Sequence, residues 1–369
     1  MTLTIAEFNL HPSHGSKIIS NYIYKSTVYP SCRQLNISSW LQLLSCFGTS
    51  LVTPLDRYVV MGSPFSLKLI VFIVYFRKSC IYVIADSQLL YVSKLKKYFC
   101  KPATQISRLS KIILSIKRLR AFFAERILFN IVDTIIVGYL DYRYINKIFK
   151  PRKLVFYCPN GLQRPVLHHS TRNKFKNDNP SPFLLDKINV IFCGNLDYEP
   201  NKIAIKNFVL IAKAFPSISF YILGKSSTPI ASDLISANLN YLGYVDNITP
   251  YFLHADFFYS PMSIQAGCPN KLLDALSYNL PVLATAGLSY CFHPKVRNNF
   301  GNLLFKPFDS HHEIITSYER IHSSFGKFRA QKDVFGEITD KQLYDLSLLL
   351  SWTSFAETAA SRPPSYSKQ

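Results

Sequence analysis

Five loops of this chain combine glycine with lysine or asparagine and contain few carboxylates. They lie around Gly15 and at Gly194–Lys202, Gly224-Lys225, Gly243–Asp246 and Pro261–Lys271. Backbone N–H groups of glycine-bearing loops and lysine ammonium groups both stabilise phosphate oxygens. The shared residue types therefore indicate an anionic ligand, and a nucleotide diphosphate fits that description.

Most of these loops follow a short apolar segment with the character of a buried parallel strand. In the second half of the chain the predicted strands are Val190–Cys193, Ser219–Leu223, Asn240–Leu242, Phe257–Ser260 and Val282–Thr285. The helices predicted between them are Lys202–Ala214, Ile248–His254, Asn270–Ser277 and part of Ser310–Gly326. This alternation is typical of a parallel α/β layer, whose ligands bind at the carboxyl ends of the strands.

The first half repeats the alternation less regularly. Strands are predicted at Thr2–Phe8, Tyr58–Met61, Ile81–Ser87, Val132–Val137 and Leu154–Cys158. A polar, non-periodic stretch between Arg164 and Pro182 is the best candidate for a linker. We therefore predict one α/β domain over about residues 1–165, a linker at 166–184 and a second α/β domain over 185–343. A last helix at 344–360 and a polar tail at 361–369 complete the chain.

The chain is strongly basic. It has 369 residues, is 48% hydrophobic, and carries a formal net charge of +20 from 42 Lys and Arg against 22 Asp and Glu. The excess is uneven, because no carboxylate occurs between Ser87 and Ala124. Such an imbalance favours a polyanionic partner, which could be nucleic acid, anionic lipid headgroups or a phosphate-bearing substrate.

A long basic helix is predicted over Lys94–Asn130. Its large apolar residues recur at helical spacing: Ile112, Ile113, Ile116, Leu119, Phe122 and Phe123. The cations interspersed with them are Lys111, Lys117, Arg118 and Arg120. An amphipathic basic helix suits an anionic membrane surface, so these four cations are predicted to dock there. The alternative is a core helix with a solvated basic face.

The cysteines and the apolar stretches bear on the compartment. The eight cysteines are scattered and none has Cys-x-x-Cys spacing, which argues against a zinc site and favours a reducing environment. The longest apolar stretch, Leu67–Phe76, is interrupted by Lys68 and is shorter than the roughly 20 residues that span a bilayer. No signal-peptide pattern is evident at the N-terminus. We expect a cytoplasmic protein held at the inner face of a membrane.

Several segments together resemble a known family. They are Ile191–Ala204, Phe220–Gly224, Leu242–Asp246, Pro261–Ala275 and, most specifically, Asn270–Leu276 followed by Leu280–Thr285. They are similar to the donor-binding domain of GT-B glycosyltransferases of the glycosyltransferase family 4 type, in the bacterial variant with a Gly-x-x-Asn-Lys motif. The match is good over Val190–Thr285 and only architectural in the first half. It implies two Rossmann-like domains whose parallel sheets face a central cleft.

The resemblance implies roles for individual residues. Lys202 and Asn195 lie where that family binds the donor diphosphate, although the family often has Arg at the position of Asn195. Asp274 stands where a Glu contacts the ribose, and the loop of Val245 stands where the base packs. Ala266 occupies the place of another Glu, so the contacts to the sugar stay open. The other residues assigned to the donor are Gly15, Gly194, Gly224, Gly267, Asn270 and Lys271.

Each of these residues also has a structural interpretation. Asn270 can cap its helix, Lys271 can be a solvated residue of the first turn, and Asp274 can be a surface carboxylate. Read within one strand–loop–helix–strand frame, however, they favour a diphosphate site. Lys271 and Asn270 would add the charge and dipole of a helix N-terminus to that site.

The implied activity is transfer of a sugar from a nucleotide-diphosphate sugar, with retention of anomeric configuration. There is no Asp-x-Asp pair, and the nearest approach is Asp197-Tyr198-Glu199. A metal-independent reaction is therefore predicted, in which Lys202 and Lys271 take the place of the cation and no cofactor beyond the nucleotide sugar is needed. His14 and His11 are the candidates for a general base, and a loop histidine can equally be a turn or cap residue.

Three functions remain open from the sequence. The leading one is a sugar transferase acting on a lipid-linked or polysaccharide acceptor in surface polysaccharide or lipopolysaccharide biosynthesis. The second is a non-catalytic scaffold of the same fold, suggested by Ala266 and Asn195. The third is a nucleic-acid-binding protein, suggested by charge alone. No recognisable binding motif accompanies that charge, so a nucleic-acid partner is not expected.

Overall fold

A computed structural model describes residues 3–8, 32–48, 57–76, 80–101, 106–153, 155–157, 174–175, 177–178, 180–183, 187–227, 236–278, 280, 282–284, 288, 290–292, 294 and 304–305. The loop with His11, His14 and Gly15, most of the predicted linker, and the predicted helices at 310–326 and 344–360 lie outside these residues. The described residues fall into two compact units. One contains those of Met1–Gly161 together with Ala266–Cys268, and the other contains those of Leu162–Gln265 and the residues from Pro269 onward.

The first unit is built on a six-stranded sheet in which every neighbouring pair is parallel. Its strands are β1 (Leu3–Phe8), β2 (Cys32–Ile37), β3 (Arg57–Gly62), β4 (Cys80–Ile84), β5 (Asp133–Ile136) and β6 (Val155–Tyr157), in the order β2-β1-β3-β4-β5-β6. All five residues of β4 and all four of β5 are buried. The apolar run of β4 is typical of a central strand covered on both faces, whereas β5 is buried although it begins with Asp133 and Thr134.

The helices of the first unit are α1 (Trp40–Gly48), α2 (Leu67–Tyr75), α3 (Gln88–Phe99), α4 (Arg108–Ile131) and α5 (Tyr139–Phe149). Four of them begin after a serine whose side chain accepts a backbone N–H of the first turn: Ser39, Ser66, Ser87 and Ser107. Their buried faces meet the sheet in one core, in which Phe72 of α2, Phe129 of α4 and Ile145 of α5 are fully buried. No helix in the described part of the chain is both long and apolar enough to cross a bilayer.

Two features of the first unit differ from the sequence predictions. The predicted helix Lys94–Asn130 is two helices, α3 and α4. Pro102 stands between them, and proline lacks the N–H that a continuous helix needs, while Ser107 caps the second helix. Strand β2 and helices α1 and α5 were not predicted. Because β2 is an edge strand with exposed Gln34 and Asn36, it lacks the apolar run that marks a central strand.

Two buried carboxylates lie at the start of α3. Glu125 of α4 accepts hydrogen bonds from the backbone N–H groups of Gln88 (2.6 Å) and Leu89 (3.3 Å) and bonds the Ser87 hydroxyl (2.9 Å). Burial raises the pKa of Glu125 to about 7, against the lowering effect of these hydrogen bonds. Asp141 of α5 accepts from the Ser87 N–H (2.7 Å), and burial, with a further contribution from Asp86, raises its pKa to about 8. The carboxylates thus satisfy the donors that a helix N-terminus leaves unpaired.

The second unit carries another fully parallel six-stranded sheet. Its strands are β7 (Asn189–Cys193), β8 (Ser219–Leu223), β9 (Leu239–Gly243), β10 (Phe257–Ser260), β11 (Val282–Ala284) and β12 (Leu304–Phe305), in the order β12-β11-β10-β7-β8-β9. The helices are α6 (Glu199–Ala214), α7 (Thr249–His254) and α8 (Asn270–Ser277). Phe208 of α6 packs on Phe192, Phe220 and Tyr259 of the sheet. This core fixes α6 against the strands whose ends carry the candidate site.

Candidate active site

Three neighbouring strands of the second sheet end in glycine, and the turns that follow are bonded to one another. Strands β7, β8 and β9 lead into Gly194, Gly224 and Gly243. The Gly194 N–H donates to the Leu223 carbonyl (3.0 Å), and the Gly224 N–H donates to the Gly243 carbonyl (2.7 Å). The carboxyl edge of the sheet, where α/β folds bind ligands, is therefore a continuous backbone surface.

Glycine is required at two of these positions. Gly194 has φ +152° and Gly224 has φ +145°, a region that residues with a side chain rarely adopt. A Cβ on Gly224 would overlap the carbonyl oxygen of Gly194, and a Cβ on Gly194 would overlap the ammonium of Lys271. The two turns therefore approach each other and Lys271 at distances that only glycine allows.

The Asp197 carboxylate connects the turn after β7 to the turn after β8 through hydrogen bonds. Asp197 accepts hydrogen bonds from the backbone N–H (2.9 Å) and the hydroxyl (2.7 Å) of Ser227, and the Leu196 N–H donates to the Lys225 carbonyl (2.9 Å). The bonds from Ser227 lower the pKa of Asp197, and Lys202 and Lys225 lower it further. Asp197 is thus held as a carboxylate within the protein's own framework.

The ammonium of Lys271 lies against the turn after β7. Lys271 is in the first turn of α8, and its Nζ donates to Oδ1 of Asn201 (2.6 Å). The same Nζ lies 5.0 Å from the centre of the Phe192 ring, within the range of a cation–π contact. The side chain, which the sequence alone could have left in solvent, is half-buried, with its ammonium enclosed beside Gly194.

This enclosure changes the titration of Lys271. Burial lowers the pKa of the ammonium to about 8, and the neighbouring Cys193 thiol opposes that change. Burial, together with Asp274, raises the pKa of Cys193 to about 12, while Lys271 opposes the rise. At neutral pH the pair is therefore a cation beside a neutral thiol. A partly dehydrated cation at the end of a strand is suited to receive an anion.

Asn201 is a residue of this cluster that the sequence did not single out for a role. Its side chain is 2% exposed, and its Nδ2 donates to the carbonyl of Asn195 (2.6 Å) while its Oδ1 receives the Lys271 ammonium. The only signal in the sequence was its place after Pro200 in the first turn of a helix that follows a glycine turn.

The other predicted donor-binding residues of the second unit are distributed along the same edge. Asn195 is exposed in the turn after β7, and Val245 is half-buried two residues after β9. Asn270 and Asp274 are half-buried on α8, and Asp274 lies close enough to Cys193 to affect its pKa. Lys202 is exposed on α6 and lies within electrostatic reach of Asp197. The two predicted lysines thus have different surroundings, and the role of Lys202 stays a prediction.

Gly267 is grouped with the first unit. Its N–H donates to Oδ2 of Asp141 (2.7 Å), its φ is +71°, and a Cβ on it would overlap the Asp86 carboxylate. Ala266 belongs to the same short segment. Within the described residues, no group of three His, Cys, Asp or Glu side chains is arranged to hold a metal ion.

The chain is similar to known glycosyltransferases in sequence over part of its length and in fold over nearly all of it. Residues 187–322 match the family described as "Glycosyl transferases group 1". Three solved glycosyltransferase structures superpose on nearly the whole chain at low identity. WaaG, a glycosyltransferase involved in lipopolysaccharide biosynthesis, has 12% identity and a TM-score of 0.55, with 95% of each chain covered. HepE from Anabaena, in complex with UDP-glucose, has 10% identity and a TM-score of 0.57 over 97% of this chain and 100% of that one.

The third structure is a glycosyltransferase from Rickettsia africae, at 11% identity and a TM-score of 0.51, with 95% of each chain covered. The fold is GT-B. The GT-B prediction of two parallel-sheet Rossmann-like domains is therefore confirmed. None of the curated proteins compared with the chain matches it.

Proposed function

We propose that this GT-B protein is a glycosyltransferase that moves a sugar from a nucleotide-diphosphate sugar to a lipid-linked or polysaccharide acceptor. The observation that carries the proposal is the ammonium of Lys271, enclosed beside the glycine turn after β7 at the N-terminus of α8. Cleavage of a sugar–diphosphate bond develops negative charge on the leaving phosphate. A preorganised cation and helix-terminal N–H groups stabilise that charge in the transition state.

The family match and the solved structures support the same proposal. The matched segment, 187–322, contains the whole glycine edge and α8. HepE is a GT-B protein solved with UDP-glucose, and WaaG acts in lipopolysaccharide biosynthesis. We extend these features to this chain as a nucleotide-sugar donor and a role in surface polysaccharide or lipopolysaccharide assembly. Retention of configuration, independence from metals and the absence of any cofactor are further parts of the proposal.

The proposal includes docking of the first unit on an anionic membrane. Helix α4 exposes a row of large apolar side chains at spacings of three and four residues: Leu109, Ile112, Ile113, Ile116, Leu119, Phe123 and Ile127. The opposite face is buried: Ala121, Leu128 and Phe129 lie in the core, and Leu114 is buried outside it. An exposed apolar stripe is unlike the solvated basic face of an ordinary core helix and suits insertion at the headgroup boundary.

The basic residues of α4 complement this stripe. Lys117, Arg118 and Arg120 are exposed and Lys111 is half-buried. Arg118 also donates to Ser93 Oγ (3.1 Å), and the guanidinium of Arg120 lies 4.8 Å from the ring centre of Phe65. Lys117 and the other cations of α4 would then attract anionic lipid, while the apolar side chains supply the contact area. The protein would act at the cytoplasmic face of a membrane.

The donor proposal is tested by nucleotide binding. Thermal shift with UDP, GDP, ADP, CDP and dTDP identifies the nucleotide, because a ligand that binds only the native state raises its stability. Calorimetry then compares Lys271→Met, which keeps the aliphatic stem, with the wild type. Loss of a charge-assisted hydrogen bond of roughly 1.5–3 kcal/mol predicts about 10-fold to 150-fold weaker binding.

Substitutions of two lysines on α6 provide a second test and a control for nucleotide binding. Lys202→Ala tests the second predicted contact, and Lys206→Ala, an exposed lysine one turn later, is the matched control that should bind as the wild type does. Unchanged affinity in both Lys271→Met and Lys202→Ala, with folding intact by circular dichroism, would refute the assignment of the site. Binding of duplex DNA that nucleotides do not displace would favour the nucleic-acid alternative instead.

A further inference from the structure

Both polar atoms of the Asn201 amide form hydrogen bonds. Its Oδ1 accepts from the Lys271 ammonium and its Nδ2 donates to the Asn195 carbonyl, both at 2.6 Å. An ammonium can only donate and a carbonyl can only accept, so the two partners fix which way the amide faces. The side chain is almost fully buried, so water does not compete for either bond.

The same residue links three separate segments of the second unit. Its backbone lies in the first turn of α6, where its N–H donates to the Tyr198 carbonyl (2.8 Å). Its side chain reaches back to the turn after β7 and across to the first turn of α8. One amide therefore sets the distance between a backbone turn and a cation that stand 76 residues apart in sequence (from 195 to 271).

We propose that Asn201 is a positioning residue that holds the Lys271 ammonium against the Gly194–Asn195 turn, in the place where a nucleotide diphosphate binds. The inference rests on the proposed function for its ligand, although the contact itself does not. A lysine side chain has four flexible methylene groups, and fixing it costs conformational entropy. When Asn201 fixes it in the unliganded protein, that entropy is already lost before the ligand arrives, and the cation needs little reorganisation.

The groups around the Lys271 ammonium determine how the loss of the Asn201 side chain would affect its position. They include the Asn201 amide from α6 and the Phe192 ring and the Cys193 thiol from β7, and the Asp274 carboxylate on α8 acts in turn on Cys193. The ammonium donates a hydrogen bond of 2.6 Å to the Asn201 amide oxygen. Its removal should therefore loosen the cation, while the ring and the helix stay in place.

The first measurement is nucleotide affinity of the full chain, using whichever of UDP, GDP, ADP, CDP and dTDP stabilises the wild type most. Asn201→Ala should weaken binding about tenfold, as expected for the loss of one hydrogen bond to a charged group. Asn207→Ala is the matched control. Asn207 lies on the same helix and donates to the Pro261 carbonyl (3.3 Å), a bond that does not involve Lys271, so its variant should keep the Lys271 contact and bind as the wild type does.

The second measurement separates positioning from general destabilisation. Affinity should fall as pH rises through the pKa of Lys271, which is about 8 in the wild type. Because a hydrogen bond to the charged form favours that form, Asn201→Ala should move the fall to lower pH by about one unit. Asn201→Asp should move it to higher pH, because a carboxylate stabilises the ammonium, and should still bind the nucleotide less tightly. A purely structural defect would lower affinity and leave the pH midpoint unchanged.

The third measurement needs no nucleotide. The rate of Lys271 acetylation by acetic anhydride, followed by mass spectrometry across pH, reports the same pKa in the free protein. If the wild type binds a nucleotide but Asn201→Ala keeps its affinity and its acetylation profile, the positioning role is wrong and the donor site stands. If no nucleotide binds the wild type, the proposed function fails and the ligand part of the inference fails with it. The acetylation profiles then decide whether Asn201 holds Lys271 at all.

Discussion

The glycine edge of the second sheet gives a prediction in which three similar substitutions should have three different outcomes. Gly194, Gly224 and Gly243 have φ values of +152°, +145° and +70°. Alanine at any of them meets a backbone conformation that costs roughly 1–3 kcal/mol for a residue with a side chain. What differs is the neighbour that the added methyl group would meet.

Gly243→Ala isolates the backbone cost. No atom lies within 4 Å of a Cβ at this position, so only the conformational penalty applies. We expect the free energy of unfolding to fall by about 1–2 kcal/mol. Nucleotide affinity should stay close to that of the wild type, which makes this variant the reference for the other two.

Gly194→Ala adds a collision with a movable group. The new methyl group would overlap the Lys271 ammonium and lie 2.6 Å from its Cε. A lysine terminus can move aside, so the stability loss beyond that of Gly243→Ala should come from the backbone, because φ +152° is less accessible to alanine than φ +70° is. The displaced ammonium gives up its bond to Asn201, however, and binding should weaken about tenfold or more.

Gly224→Ala adds a collision with a fixed group. Its Cβ would overlap the carbonyl oxygen of Gly194 and lie 2.9 Å from the carbonyl carbon. A hydrogen-bonded backbone cannot move aside as a side chain can, so a loss of about 4 kcal/mol or more is expected, at the high end for single substitutions. Urea unfolding and calorimetry measure the three variants side by side. The reasoning is refuted if Gly194→Ala binds the nucleotide as Gly243→Ala does, or if Gly224→Ala is no less stable than Gly243→Ala.

Two further predictions concern the first unit. Ile116→Glu, at a position 61% exposed on α4, should reduce binding to anionic vesicles about tenfold. Leu210→Glu, at a position 59% exposed on α6, is the control and should bind as the wild type does. Equal binding of the two variants would contradict membrane docking by α4. The raised pKa of Glu125 means that the folded protein keeps a proton which the unfolded chain loses, so its contribution to stability is complete below about pH 4.5 and disappears as pH rises to about 7. Between pH 4.5 and 7 the free energy of unfolding should fall by about 3 kcal/mol more in the wild type than in Glu125→Gln. Urea unfolding at several pH values measures this difference. If the free energies of the two proteins change in parallel with pH, Glu125 is charged in the folded protein.

The sequence predicted the second unit best, because most of its strands are apolar runs, and β7 and β8 are each followed by a glycine. Strand β8 and helix α8 have the predicted bounds, and β7 begins one residue earlier than predicted. In the first unit, β2 could not be found in this way. It lies at the edge of the sheet, where exposed polar side chains replace the apolar run. The edge strands β6 and β9 were nevertheless predicted, whereas the edge strand β12 was not. An edge position alone therefore does not hide a strand from local pattern; the polar side chains of β2 do.

The site was less predictable than the fold, because its geometry depends on contacts between distant residues. The residue types at Gly194, Asn195 and Lys271 indicated an anion site. The position of Asn201 between them could not be inferred, since its two partners stand 6 residues before it and 70 residues after it. Helical periodicity found the apolar residues of α4, but it could not decide whether Ile116 or Leu114 faces the core.

The surroundings of the two predicted lysines argue for unequal roles. Lys202 is exposed and hydrated, and an exposed cation gains at most about 1 kcal/mol from an ionic partner, because water and salt screen the interaction. The Lys271 ammonium lies against the Gly194 turn, the Phe192 ring and the Asn201 amide, and this burial lowers its pKa, so an arriving diphosphate would add a charge interaction that these neighbours do not supply. Lys271→Met should therefore weaken binding far more than Lys202→Ala, and the loss in Lys202→Ala should shrink at high salt. The reverse order would place the diphosphate at the start of α6 instead of at α8.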